Sequence, residues 1–486
     1  MSELLKKQMI IDGKQIGSLS GETSLSINPA TEEGFAEIPM GTKEDAENAI
    51  LAAKKSFDLG KWRNTPPSKK GKILWKLADL IMANRQELAE LETKDTGKPI
   101  RETMSIDVPM TADVFRFFAG ATTKIHGETI PVNGNFFHYT LREPVGVMGL
   151  IVPWNFPMLI AARKIAPALA CGNSIILKPA EISSLTAIRM AELALEAGLP
   201  EGVFNVLTGK GSVVGQALVD SPIVDAITFT GSTGVGQGLM KSGSVNVKKL
   251  SLELGGKSPN IVFDDANVDL AIKMAAAAIF YNKGEVCTAG SRLFVQESIY
   301  DEVTEKLSAR ANKMVPGDPM NEGTRLGPVV SKAQFDSVSE YIRLGKEGGA
   351  KLSAGGEKFD IGNGGKGYFL KPTVFTDVDN KMQIAQEEIF GPVLSVIKFT
   401  DTDDVIRQAN DTAFGLASGI WTNDLKKAHQ VANRINAGTV WINTYNMYDA
   451  ASPYGGFKMS GFGKESGMES IYEFYTKSKT VWVDLN

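Results

Sequence analysis

Residues 145–178 read VGVMGLIVPWNFPMLIAARKIAPALACGNSIILK. An apolar run at 145–152 gives way to a helix-like stretch ending at Ala170, and a second β-rich run follows at 174–177. Strand, helix and strand at that spacing make a βαβ unit, and runs this continuously apolar belong inside a parallel sheet. Working outward, the alternation continues with a helix around 184–197, a strand at 203–207, a helix near 212–219 and a strand at 226–229. It resumes after Gly255-Gly256 with a strand at 260–263, a helix at 267–280, a strand at 292–295 and a long helix near 299–313. The pattern predicts an α/β protein with two successive parallel-sheet domains meeting around the double glycine.

Length and composition agree. At about 150 residues per domain, 486 residues suggest two or three domains. The net charge is −4 and no block of five or six like charges occurs, which argues against a nucleic-acid partner. Two cysteines exclude a disulfide framework and suit a reducing compartment. The opening, Met1 to Lys7, lacks a secretory apolar region, and no apolar run is long enough to span a membrane. The three histidines, His126, His138 and His429, and the cysteines lie too far apart for metal-ligand spacing. A cytoplasmic, metal-free enzyme is expected.

On the amino-terminal side, residues 1–40 read as short extended pieces. Thr42-Lys43-Glu44-Asp45 reads as a capping box opening an alanine-rich helix to about Phe57, and helical pattern fills 67–120. Asn133-Gly134 between β-rich runs predicts a hairpin over 127–143. Its aromatic flanks, Phe136, Phe137 and Tyr139, together with Trp482 in the tail, are too much apolar surface for a free hairpin. Hairpin and tail are therefore expected to pair with another subunit, in a dimer or tetramer.

Chemistry-bearing segments sit at the ends of these strands. Thr230-Gly231-Ser232-Thr233-Gly234-Val235-Gly236 follows the run 226–229 and opens a helix. Its glycines let a backbone approach a pyrophosphate, although the spacing is not G-x-G-x-x-G and a plain strand-to-helix turn reads the same way. Gly209-Lys210-Gly211 with Gly215 is a second such cluster, and together they point to nucleotide binding. Lys178-Pro179-Ala180-Glu181 puts a carboxylate where dinucleotide folds hold the adenine ribose; a solvated charge pair is the alternative. Cys171 fits a buried small hydrophobe, whereas Cys287 lies in a small-residue loop where a thiolate is exposed and tunable. Glu253, between leucines, is either a general base with a raised pKa or an edge-strand glutamate facing water. Asn155, between Trp154 and Phe156, is placed like an oxyanion donor or like a helix cap. No G-x-S-x-G occurs, which removes the usual α/β-hydrolase reading.

The chain resembles the NAD(P)-dependent aldehyde dehydrogenase superfamily along essentially its full length. The matching segments are PWNFP (153–157), KPAE (178–181), FTGS (229–232), LELGGKSPNI (252–261), GEVCTAGSR (284–292), EEIFGP (387–392) and SPYGGFKMSG (452–461). The resemblance implies two Rossmann-like domains, cofactor-binding over 1–125 and 145–255 and catalytic over 256–465, plus a small β oligomerisation element over 126–144 and 466–486. It implies Cys287 as nucleophile, Glu253 as general base and Asn155 as oxyanion amide, aided by the Cys287 backbone N–H. Trp154, Lys178, Glu181, Gly211, Gly215, Ser232, Glu388 and Phe390 match cofactor positions, and Glu465 matches a second glutamate linked to proton movement or support. Glu181 implies NAD, with NADP used more weakly, because a carboxylate repels a 2′-phosphate. The glutamate at 253 favours release of a free acid over transfer to coenzyme A. Glu285 stands where many hydrolytic relatives carry glutamine, and Lys283 is also uncommon.

Met110, Phe156, Tyr281, Val286, Thr288, Tyr448 and Tyr454 match a substrate tunnel that is mostly apolar and, on this reading, lacks the arginine expected for carboxylate-bearing semialdehydes. Aromatic or medium aliphatic aldehydes are expected. The alternatives are a trimethylammonium (betaine-type) aldehyde held by cation–π contact, although a tyrosine, Tyr454, replaces the usual tryptophan, or a non-catalytic structural relative.

Overall fold

A computed structural model describes residues 4–486; Met1–Glu3, part of the opening segment considered above, lie outside the described residues. Two sheets organise the chain. The first has eight strands in the order Gly461–Phe462, Lys249–Glu253, Ala226–Thr230, Val147–Ile151, Ser174–Lys178, Phe204–Val206, Met9–Ile11, Lys14–Ile16. Its five middle strands are parallel and the flanking pieces antiparallel. The second has seven strands in the order Lys351–Ala354, Thr373–Thr376, Val393–Phe399, Arg292–Gln296, Pro259–Val262, Ala417–Trp421, Thr439–Ile442, parallel except for the first. This is the α/β architecture expected, with the alternation of apolar strands and helices falling where the sequence placed it.

The helix Pro157–Ala170 shows why that reading works. Proline opens it, where a missing N–H costs nothing, and nearly every residue is buried between sheet and helices. The helix Lys43–Asp58 starts on the expected capping box, Thr42 accepting from the Asp45 N–H and Asp45 returning the bond. In the first sheet Ile151 pairs with Lys178 and Thr230 with Glu253, so the carboxyl ends of four strands lie along one edge. Ligands of open parallel sheets bind at that edge. The short strand Gly461–Phe462, far along the chain, pairs there with Leu252 and Glu253. We propose the domain division given above on these sheets, with residues 461–462 stitching the later segment back to the first.

The 127–143 hairpin differs from expectation. Its first arm makes a single bridge, Thr129 to Tyr139, and Pro131 has no N–H to extend a ladder. On its other edge the second arm, Phe136–Pro144, pairs with the tail strand Thr476–Asp484 of the same chain over nine residues. Three ring contacts run along the ribbon, His138 on Trp482 at 4.4 Å, Phe137 on Tyr139 at 5.4 Å and Phe136 on Trp482 at 5.8 Å, yet Phe136, Phe137 and Trp482 stay 40%, 46% and 57% exposed. No helix among the described residues is long and apolar enough to cross a membrane.

Candidate active site

Two cavities open at the sheet edge and meet at Cys287, which lines both. Trp154 and Asn155 reach the more polar of the two because they lie just beyond the end of the strand Val147–Ile151. The helix beyond is capped at Phe156 with no side-chain bond, so Asn155 is not its cap. Asn155 is buried and its Nδ2 donates to the Glu285 carbonyl at 2.9 Å, which leaves the second amide hydrogen for the cavity side.

The more polar cavity is lined by Trp154, Asn155, Ser232, Cys287, Glu388 and Phe390, with Gln334. Ser232 is the N-cap residue of the helix Thr233–Gly243 and lines this cleft, which puts the helix N-terminus at its wall. The Trp154 ring meets Phe390 edge-on at 5.2 Å. Phe390 is left-handed (φ 57°), and Gln334 Nε2 donates to its carbonyl at 2.7 Å, holding the turn. Glu388 accepts from the Gly256 N–H at 2.9 Å, and burial pushes its carboxyl up to about 7 against the pull of that bond and of Lys257. Along the same edge the Gly211 N–H donates to Glu181 at 3.1 Å, and Lys178 stands nearly buried beside them, its pKa lowered by that burial. Gly215 ends the wide turn Gly211–Gly215 that continues as the helix Gln216–Asp220. Gln334 was missed in the sequence because it sits far down the chain with no motif around it.

The second cavity is apolar, about 230 Å³, and is lined by Met110, Phe156, Tyr281, Val286, Thr288, Tyr448 and Tyr454, the tunnel residues named above. Tyr454 lies 3.2 Å from Cys287 Sγ, and Tyr448 shares a 2.6 Å hydrogen bond with Thr288. Burial pushes the Cys287 thiol up to about 12; Tyr454 opposes, the Glu388 and Glu253 carboxylates add to the rise, and Arg163 opposes. Glu253 does not face water: it is buried at the cavity wall, and neither carboxylate oxygen has a hydrogen-bond partner among the described residues. Burial first, then Glu465, raise its pKa well above the carboxylate range. Glu465 is itself paired with buried Lys164, which also donates to Thr228 at 2.9 Å.

One expectation about this tunnel is overturned. Arg163 lines it, its guanidinium 5.2 and 5.3 Å from the Tyr448 and Tyr454 ring centres, with no hydrogen-bond or ion-pair partner among the described residues. The signal was present in the helix spacing: Phe156, Leu159, Ile160 and Arg163 share one face and all line the cavity. Lys283 and Glu285, by contrast, line neither cavity; both are buried and paired at 3.0 Å.

Similarity to known proteins agrees with this geometry. The profile of the aldehyde dehydrogenase family matches residues 17–481. The chain is 47% identical over 480 residues to aldehyde dehydrogenase family 2 member B4, mitochondrial, of Arabidopsis thaliana, covering 99% of this chain and 88% of that protein. It superposes with a TM-score of 0.97 on the NAD+ complex of aldehyde dehydrogenase from Bacillus cereus (44% identity, 99% of this chain and 97% of that one). The TM-score is again 0.97 for an indole-3-acetaldehyde dehydrogenase in complex with NAD+ (42% identity, 100% and 98% covered). The chain belongs to the aldehyde dehydrogenase family.

Proposed function

We propose that the protein oxidises an aromatic or medium aliphatic aldehyde to its free carboxylic acid with NAD+. The observation that carries this reading is a cysteine thiol at the junction of an apolar cavity and a polar cleft, with a buried, unpartnered carboxylate beside it. A cavity of about 230 Å³ exceeds the 150 Å³ or so that admits benzene in an engineered core.

Cys287 gives up its thiol proton to solvent as its sulfur adds to the aldehyde carbon, and the Asn155 amide with the Cys287 backbone N–H receives the oxygen as it becomes negative. NAD+ held in this cleft would supply the acceptor for the hydride that the thiohemiacetal must lose to become a thioester. Glu253 takes a proton from water, which attacks the thioester and frees the acid. The cleft residues fit that cofactor. Glu181, with Gly211 and Lys178, offers a carboxylate and donors to a ribose, Ser232 opens helix N–H groups toward a phosphate, and Glu388 with Phe390 faces the cleft near Cys287. The Glu181 carboxylate repels a 2′-phosphate, so NAD+ is preferred over NADP+.

Arg163 favours a second substrate reading, an aldehyde carrying an anionic group at its far end. An unpartnered guanidinium in an apolar cavity gains most from a carboxylate. The same residue disfavours a trimethylammonium aldehyde, because the ring faces that would hold that cation already face Arg163. NADH formation across neutral, carboxylate-bearing and trimethylammonium aldehydes tests both readings, using the wild type and Arg163→Leu. Neutral aromatic aldehydes should be good substrates of both proteins. A loss of about tenfold or more in kcat/KM confined to carboxylate-bearing aldehydes in Arg163→Leu would establish the second reading. No NADH from any aldehyde would overturn the function, and equal kcat/KM with NADP+ would overturn the cofactor preference.

We further propose a cytoplasmic dimer or tetramer assembled through the ribbon of 136–144 and 476–484, whose exposed rings and free strand edges need cover. Sedimentation at micromolar concentration should give a dimer or larger, and a stable, active monomer would refute this assignment.

A further inference from the structure

We propose that the buried Lys283–Glu285 pair is a positioning device for the Asn155 amide: it holds the peptide whose carbonyl fixes that amide, and so acts on aldehyde addition without touching substrate or cofactor. The inference rests on Asn155 being the oxyanion donor of the proposed function.

The loop before Cys287 is one that the backbone alone would not keep. Asn282, Lys283 and Gly284 are consecutively left-handed, with φ of 43°, 59° and 76°. Two of the three carry side chains, for which that region is disfavoured. What holds them is side-chain chemistry. Lys283 Nζ donates to the Thr96 carbonyl at 3.0 Å and lies 3.0 Å from Glu285 Oε2. Glu285 Oε1 accepts from the Val330 N–H at 2.9 Å. The pair therefore clamps the loop between two segments remote in sequence, ending at Thr96 on one side and Val330 on the other. The carbonyl of the clamped residue, Glu285, accepts from Asn155 Nδ2 at 2.9 Å and from Asn282 Nδ2 at 3.2 Å, while Asn282 Nδ2 also donates to the Asn155 carbonyl at 2.9 Å. Side chain and backbone of Asn155 are thus both fixed to the loop that carries Cys287 two residues later.

Behind the pair lie further buried charges. Glu102 accepts from the Asn282 N–H at 3.2 Å, and Lys98 pairs with Asp107 at 2.5 Å and with Glu92 at 3.7 Å. In so dry a cluster, a charge that loses its partner must shed or gain a proton or shift the loop, whereas a neutral pair of matching shape is tolerated. Glutamine at 285 alone would set an amide N–H against the Lys283 ammonium. Glutamine at 283 alone would leave the Glu285 carboxylate without its cation. Two glutamines can donate to and accept from each other and keep both outer contacts.

The test compares Glu285→Gln, Lys283→Gln and the double variant in the full-length protein. Each is measured for aldehyde oxidation, hydrolysis of p-nitrophenyl acetate without cofactor, NAD+ affinity and alkylation of Cys287 by iodoacetamide. Ester hydrolysis passes through an oxyanion; alkylation displaces iodide at saturated carbon and does not. Each single variant should lose about 10- to 100-fold in kcat for both oxyanion-forming reactions with KM changed much less, since loss of a well-placed donor costs on that order. NAD+ affinity and alkylation should stay within about twofold, and the double should return to within about threefold of wild type. Should a single variant fail to fold, Glu285→Asp, which keeps the charge and retracts the carboxylate, takes its place with the same expectation. Unchanged kcat in the single variants or in Glu285→Asp overturns the proposal, as does an alkylation rate that falls with kcat, or a double no better than the worse single. If the wild type oxidises no aldehyde, the function fails separately, and ester hydrolysis still decides the role of the pair.

Discussion

Replacing Cys287 by serine is expected to lower aldehyde oxidation by at least about 10³-fold while NAD+ affinity stays within about twofold. The thiolate is the nucleophile, and a hydroxyl is far harder to ionise than a thiol. The surroundings do not close that gap. Burial, with the Glu388 and Glu253 carboxylates adding to it, pushes even the thiol up to about 12 despite Tyr454 and Arg163. The same burial acts on an alcohol that starts from a far higher pKa, so the serine oxygen lies further from its anion than the cysteine sulfur at every pH. The other cysteine cannot substitute: Cys171 is buried at the C-terminal end of the helix Pro157–Ala170, lines neither cavity, and burial raises its thiol further still. Steady-state NADH formation reads the first quantity, and quenching of tryptophan fluorescence reads the second, since Trp154 lines the cofactor cleft. A serine variant retaining activity within tenfold of wild type would rule out the covalent route.

Glu253→Gln should separate the two halves of the reaction. An amide keeps the shape of the side chain but cannot take a proton from water, so thioester hydrolysis should slow by about 10²- to 10⁴-fold. Rapid mixing should then give one NADH per active site in a burst, followed by a slow steady state. The pH dependence follows from the environment. Burial and Glu465 hold the Glu253 carboxyl well above the usual range, so its basic form grows as pH rises. The wild-type hydrolysis rate should climb with pH through the neutral and mildly alkaline range, and the glutamine variant should lose that dependence. Disappearance of the burst itself would place Glu253 in activation of Cys287 or in holding the aldehyde.

Much of this was legible along the chain, because the signals are local. The run at 145–152, the helix to Ala170 and the run at 174–177 became strand, helix and strand. Apolar patterning over ten to fifteen residues decides which segments are buried before any long-range contact forms. Strand ends in a parallel sheet share one edge, so motifs that follow strands, such as Trp154-Asn155, Lys178 to Glu181 and the turn at Ser232, were bound to converge. Tertiary structure decided the questions that hang on distant partners. Glu253 alternates with leucines, and the later chain makes that position interior, residues 461–462 pairing with its strand and Gly455 lying against its carboxylate. The strand at 136–144 pairs with its hairpin arm on one edge and with the tail on the other, but Pro131 cuts the nearer ladder short and the tail runs its whole length. Arg163 joins the tunnel that was expected to lack an arginine only when tyrosines nearly three hundred positions away close over it. Lys283 and Glu285 read as unusual neighbours of the nucleophile, but their pairing with each other, and their anchors at Thr96 and Val330, exist only once those segments have packed. Local pattern selects the elements; the environment of a buried charge is set by whatever the fold brings against it, and that sum is not written in any one stretch of chain.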